Sequence, residues 1–125
     1  MPTIQYQEVA IANGASLSAE VDLRHHSLVA IQMPADWTAA DLTFQGRPGA
    51  DDTTPRINET LQNVYDDAGN EVTVQADADR YIALTAGVLD ALTGLGRVKV
   101  RSGTSGTPVN QGAARVLTLV LAALD

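Results

Sequence analysis

The chain closes on Val98-Lys99-Val100-Arg101, a connection rich in Gly, Thr, Ser, Pro and Asn at 102–112, and the apolar run VLTLVL at 116–121. Apolar and charged residues alternate in the first segment. This period of two is typical of a strand with one buried face and one wet face. The connection has the composition of a turn-rich loop. Together the three segments predict two antiparallel strands at the end of a β domain.

The same signal recurs toward the N-terminus. Its clearest example is the stretch 17–23, where Leu17, Ala19, Val21 and Leu23 alternate with polar residues. A segment bounded by glycines, 87–96, has Val and Leu at spacings of three and four and predicts a short helical turn or a packed loop. Turn-forming residues at 46–55 predict a long loop. Further strands are predicted at 3–12, 27–33, 41–45, 61–65, 71–75 and 80–84.

These elements favour one all-β domain. The chain has 125 residues, 45% of them hydrophobic but only 4% aromatic, so Val, Leu, Ile and Ala must fill the core. Such a core suits sheets packed face to face. With about eight or nine short strands we predict a single-domain antiparallel β-sandwich. A small β-barrel is the alternative, because strand number does not separate the two.

The first segment, residues 1–15, differs from the sandwich domain predicted at 16–125. Ile4 and Tyr6 are out of phase with Val9 and Ile11, which indicates a bulge, or an arm that pairs with a neighbouring subunit. These four residues are candidate partner-binding residues. Trp37 is a fifth, either as an exposed platform or, in the alternative interpretation, as a plug of the core.

Charge is unevenly distributed. Residues 51–79 hold eight acidic residues and one arginine, which accounts for the whole net charge of −7. A continuous basic surface is therefore missing, and we expect no binding to nucleic acid. The longest apolar tract, 116–124, is shorter than the roughly 20 residues that cross a bilayer, so we expect no membrane span. The start of the chain lacks the pattern of a secretory signal.

The search for chemistry gives few candidates. The two histidines, His25 and His26, are adjacent, and neighbours on a strand point to opposite faces. We therefore expect no enzymatic activity and no cofactor. Asp66, Asp67 and Asn70 bring several oxygens into one loop, as calcium sites require. Ordinary hairpin chemistry is the alternative explanation of the same three residues.

An ordered series of segments resembles a group of small tailed-bacteriophage structural proteins, over about residues 16 to 122. The chain departs from that group at 46–60, where its connection is longer and contains prolines. The segments that carry the resemblance are LTFQ at 42–45, VYDDAGNEV at 64–72, RYIAL at 80–84, VKVRSGT at 98–104, PVNQ at 108–111 and RVLTLVL at 115–121.

The resemblance implies a virion component that is assembled in the host cytoplasm. We expect a capsid-associated decoration protein that contacts the major capsid protein or other virion proteins, as a homo-oligomer or bound to the capsid lattice. A tail or fibre protein is an alternative. A second alternative is a carbohydrate-binding module for host-surface attachment through Trp37, Tyr65 or the acidic loop, which contains Asp66, Asp67 and Asn70.

Overall fold

The computed structural model describes residues 3–49 and 60–123. Eight strands form two antiparallel four-stranded sheets, sheet A in the order β1-β8-β3-β6 and sheet B in the order β2-β7-β4-β5. The sheets do not close into a barrel, so the predicted β-sandwich is confirmed and the barrel alternative is wrong. The elements are β1 (Ile4–Ile11), β2 (Val21–Asp22), β3 (His26–Gln32), β4 (Leu42–Pro48), β5 (Gln62–Asn63), β6 (Tyr81–Ala83), α1 (Ala86–Leu92), β7 (Leu95–Ser102) and β8 (Arg115–Ala123).

The core lies between the sheets and follows the alternation of the sequence. On β8, Leu117, Leu119 and Leu121 point inward and are buried. Val98 and Val100 do the same on β7. Each buried aliphatic side chain of this kind contributes about 2 kcal/mol to the free energy of unfolding. The last two segments thus contribute five of the 19 residues of the buried core cluster.

The stretch 17–23 is only partly a strand. Only Val21–Asp22 is regular, although the preceding residues also run beside β7. The regular pairing is interrupted at Ser18, because its Oγ replaces a main-chain carbonyl as the acceptor of the Val100 N–H, at 2.9 Å. Val21 and Leu23 are buried as predicted, whereas Ala19 is exposed and Ser18 is buried. A local bulge thus reverses the pattern in the first half of the segment, so that Ser18 faces the core and Ala19 faces solvent.

β4 is longer than the predicted strand at 41–45. It continues through Gly46 and Arg47, which pair with Val98 and Arg97, and the register shifts at Pro48. The predicted loop at 46–55 thus begins later, and its residues 50–55 lie outside the described part of the chain. Of the two interpretations of 87–96, the helical turn is correct for the first part of the segment, because α1 spans Ala86–Leu92 with Leu92 buried, whereas Leu95 and Gly96 already belong to β7. In the described ranges, no helix is long and apolar enough to cross a membrane.

β1 pairs with β8 of its own chain along its whole length. The register runs from Ile4 opposite Ala122 to Ile11 opposite Arg115 without a shift, so the predicted bulge is wrong. Regular alternation places Ile4 and Tyr6 on the outer face of sheet A and Val9 on the inner face. The change of phase arises because Gln5 and Gln7, both exposed, occupy the first inward positions.

Candidate functional site

The outer face of sheet A is almost free of charge. Strand pairing aligns its side chains in rows, such as Tyr6 beside Val120 and then Ala30 and Ala83. Glu8 is the one charged residue among these positions. We call this surface the neutral face, and it consists of Ile4, Tyr6, Glu8, Ala10, Ala30, Gln32, Tyr81, Ala83, Val116, Thr118, Val120 and Ala122.

The neutral face also collects the exposed apolar side chains. Within the described ranges, five large apolar or aromatic residues are exposed, and four of them lie here. They are Ile4 (45% exposed), Tyr6 (72%), Tyr81 (61%) and Val116 (46%). Grouped exposed apolar side chains mark interaction sites more often than scattered ones do. The neutral face is therefore the main candidate interaction surface.

The outer face of sheet B has the opposite character. Arg97 and Lys99 project from β7, and Arg47 projects from β4 opposite Arg97. Asp22 accepts hydrogen bonds from Nε and Nη2 of Arg24, and a second guanidinium, that of Arg97, lies 3.7 Å away. The hydrogen bonds from Arg24 lower the pKa of Asp22 to about 2, with burial opposing them and Arg97 assisting. This charged face is well solvated and differs chemically from the neutral face.

Arg101 is the buried member of the charged face. Its side chain is only 6% exposed, and its Nη1 lies 3.3 Å from a Glu71 carboxylate oxygen. Its Nη2 donates to Asn63 Oδ1 at 2.6 Å, and Nη1 also donates to the Thr43 hydroxyl at 3.3 Å. Glu71 in turn accepts the backbone N–H of Ser105 at 3.0 Å. Arg101 thus fixes the 62–71 hairpin and the 103–107 loop to sheet B.

The structure separates the predicted partner-binding residues. Ile4 and Tyr6 are exposed on the neutral face. Val9 and Ile11 belong to the core, so their side chains are not available to a partner in this structure. Trp37 is 9% exposed, and its indole N–H donates to the Ala40 carbonyl at 3.0 Å. Its interpretation as a core plug is therefore confirmed, and the exposed platform is wrong.

The acidic loop has the contacts of a hairpin turn. Oδ1 of Asp66 accepts the backbone N–H groups of Ala68 at 3.0 Å and Asn70 at 2.9 Å. Gly69 has a φ of 87°, a conformation that favours glycine. In the part of the chain that the structure describes, no group of three or more His, Cys, Asp or Glu residues could hold a metal ion. The hairpin alternative accounts for the contacts of Asp66.

An open groove lies between this hairpin and α1. It has a volume of about 330 Å³ and is lined by Tyr65, Asp66, Asp67, Gly87, Asp90 and Ala91. Tyr65 is 52% exposed, and its hydroxyl lies 3.3 Å from that of Ser105. An aromatic ring beside carboxylates can stack on a sugar ring while the carboxylates accept hydrogen bonds from its hydroxyl groups.

Sequence reasoning missed Tyr81, Val116 and Arg101. The first two lie in segments that were correctly predicted as strands, but their shared surface appears only once β6, β3 and β8 are placed side by side. Alternation puts Arg101 on an outer face, and nothing in its own strand indicates that a hairpin covers it. Among known proteins, no family, no curated sequence and no solved structure matches this chain.

Proposed function

We propose that this chain is a non-enzymatic structural protein of a tailed-bacteriophage virion, bound to the capsid as a decoration protein. The observation that carries the proposal is the neutral face, a sheet surface with four exposed large side chains and Glu8 as its one charged residue. A surface of this kind gains free energy when another protein covers it, because apolar area leaves water and only one charge can be desolvated. The partner class, a coat protein, comes from the resemblance of the sequence to phage structural proteins.

The contrast between the two outer faces supports an oriented attachment. Four of the five ion pairs in the described ranges lie on or beside the outer face of sheet B; the Arg101–Glu71 pair is buried, and the other three include side chains that are 33–45% exposed. Burial of such a network against a partner carries a desolvation penalty. In our proposal the neutral face contacts the virion, and the charged face is directed to solvent.

Binding to purified phage particles tests this function. Val116→Lys and Tyr81→Lys each place an ammonium group at an exposed position of the neutral face, and we expect either to weaken co-sedimentation with particles at least about tenfold. Gln45→Lys is the matched control, since it adds the same group to the outer face of sheet B. Wild-type protein that is absent from virions, or equal binding by all three variants, would contradict the proposal.

The groove beside α1 favours a second candidate, attachment to host-surface glycans. Here Tyr65 would stack on a sugar ring. The neighbouring carboxylates of Asp66, Asp67 and Asp90 would accept hydrogen bonds from the hydroxyl groups of that sugar. Glycan-array binding that is lost in Tyr65→Ala and kept in Tyr81→Ala would support this candidate. An array on which the wild-type protein binds nothing would count against it.

A further inference from the structure

We propose that two copies of this chain join edge to edge through β1, antiparallel to each other, about a two-fold axis at Tyr6. β1 is one edge of sheet A and has eight residues. The other edge strands are β6 with three residues and β2 and β5 with two each. A long edge attracts a further strand, whereas short edges resist it. Because it specifies how copies of a virion protein meet, this pairing rests on the proposed function.

β1 also lacks the features that commonly protect an edge. Its sequence, IQYQEVAI, contains no proline and no lysine or arginine, and its pairing with β8 has no bulge. Glu8 is its single charge. Natural edge strands carry lysines, prolines or bulges because these groups discourage pairing with another chain. This edge is therefore built in a way that permits pairing.

The main-chain groups that are free to pair can be identified. The Ala123 N–H donates to the Thr3 carbonyl at 2.9 Å, which makes these two residues a hydrogen-bonded pair of the ladder. Such pairs alternate along antiparallel strands, so every second residue directs its N–H and C=O away from the partner. On β1 these residues are Ile4, Tyr6 and Glu8. The Glu8 carbonyl also accepts a hydrogen bond from the exposed Gln7 amide at 3.0 Å, and its second lone pair is left for a partner N–H.

The C-terminal end of the edge is already occupied. Ile11 forms a bridge with Ser18 after the chain turns back, and this covers the edge next to Ala10. The open part is therefore centred on Tyr6. An antiparallel pair that uses every free group has one register, in which Tyr6 faces Tyr6 of the second copy and Ile4 faces Glu8 of the second copy.

Charge favours the same register. The two Glu8 carboxylates are then four residues apart along the strands, about 14 Å, which exceeds the Debye length of about 8 Å at physiological salt. A shift by two residues that pairs Tyr6 with Glu8 would bring the two Glu8 closer and would require the covered Ala10, and the opposite shift, which pairs Ile4 with Tyr6, would leave the free groups of Glu8 without a partner among the described residues. The second copy is thus complementary to the first without any acidic pair in contact, and the two neutral faces become one continuous surface.

Sedimentation equilibrium of the full chain tests the pairing, with circular dichroism to show that each variant is folded. We expect a wild-type dimer. Tyr6→Lys places two lysines directly opposite each other, with their Cα atoms about 5.5 Å apart, and the repulsion of like charges should weaken the dimer at least about tenfold. Tyr81→Lys, the same change on the same face but on β6, should leave the dimer unchanged.

A second pair of variants tests the register. Ile4→Lys places an ammonium group opposite Glu8 of the second copy, and Ile4→Glu places a carboxylate there. We expect the lysine variant to dimerise roughly tenfold more tightly than the glutamate variant. Equal dimer affinities for these two variants would overturn the register.

The pairing and the proposed function can fail separately. A wild-type protein that stays monomeric up to submillimolar concentration, or equal dimer affinity for Tyr6→Lys and Tyr81→Lys, would overturn the pairing. If that monomer still binds phage particles, the proposed function stands. A dimer that does not bind particles would contradict the proposed function and leave the pairing intact.

Discussion

Replacement of Arg101 by methionine should remove about 3 kcal/mol from the free energy of unfolding. Arg101 is 6% exposed on its side chain, and Glu71 is 13% exposed. Removal of one partner of a buried pair leaves the other charge without its counterion, which costs about 3–5 kcal/mol. We expect the lower end, because Glu71 keeps both hydrogen bonds from the Ser105 N–H, at 3.0 and 3.2 Å.

Urea denaturation followed by far-ultraviolet circular dichroism measures this loss. A change of about 3 kcal/mol corresponds to roughly a 150-fold shift in the unfolding equilibrium, and to a fall in Tm of about 12 °C for a domain of this size. Lys99→Met is the matched control. It removes one positive charge from the same strand and face, and Lys99 has no ion pair within the described ranges, so we expect a change below about 0.5 kcal/mol.

The double variant Arg101→Met with Glu71→Leu separates charge from packing. With both charges gone, the penalty of an unpaired carboxylate disappears, so the double variant should be more stable than Arg101→Met alone. The reasoning is refuted if Arg101→Met loses less than about 1 kcal/mol, or no more than Lys99→Met does. Either result would mean that water solvates this pair and that the hairpin does not depend on it.

Three further predictions concern stability. The pKa of Asp22 is lowered from 3.8 to about 2 by Arg24, so its contribution is complete above about pH 4 and is lost as the pH falls through about 2. Thermal melts over this range should therefore show a weaker pH dependence in Asp22→Asn. A Cβ on residue 96 would overlap the backbone of Gly49, so Gly96→Ala should lose about 1–3 kcal/mol in urea titrations. Gly87→Ala adds a methyl group to α1 in open space and should gain about 0.5–1 kcal/mol in the same assay.

Alternation along single strands predicted most of the fold. Val98 and Val100 on β7 are buried where the pattern placed them, because the period of two directly reports which side of a strand is apolar. The pattern did not reveal Ser18, whose hydroxyl replaces a main-chain acceptor. Nor did it give the length of β4, where Gly46 pairs with Val98 and the Leu95 side chain occupies the space that a Cβ on residue 46 would need. These outcomes depend on a neighbouring strand, which a single segment does not contain.

The candidate site was less predictable for the same reason. The phase change between Tyr6 and Val9 was visible in the sequence, but its explanation as a bulge assumed that apolar residues on both sides of a strand require an irregular backbone. In the structure the backbone is regular, and the two residues simply lie on opposite faces of one sheet. Sequence therefore indicated that β1 has two apolar sides, and only the sheet order showed that one of them is directed outward.

β8, which lies between β1 and β3 in sheet A, is likewise apolar on both of its sides. Its inward residues are the leucines at 117, 119 and 121, and its outward positions hold Val116, Thr118, Val120 and Ala122, none of them charged. Strands that are apolar on both sides are typical of sheets covered on both faces. In the single chain, sheet B covers the inner side alone, and the outer side meets water at Val116. A second layer, supplied by another protein, would bury the outer side of β8 as well and would match the apolar composition of the strand. For this reason our proposal assigns the virion contact to the neutral face and leaves the charged face exposed to solvent.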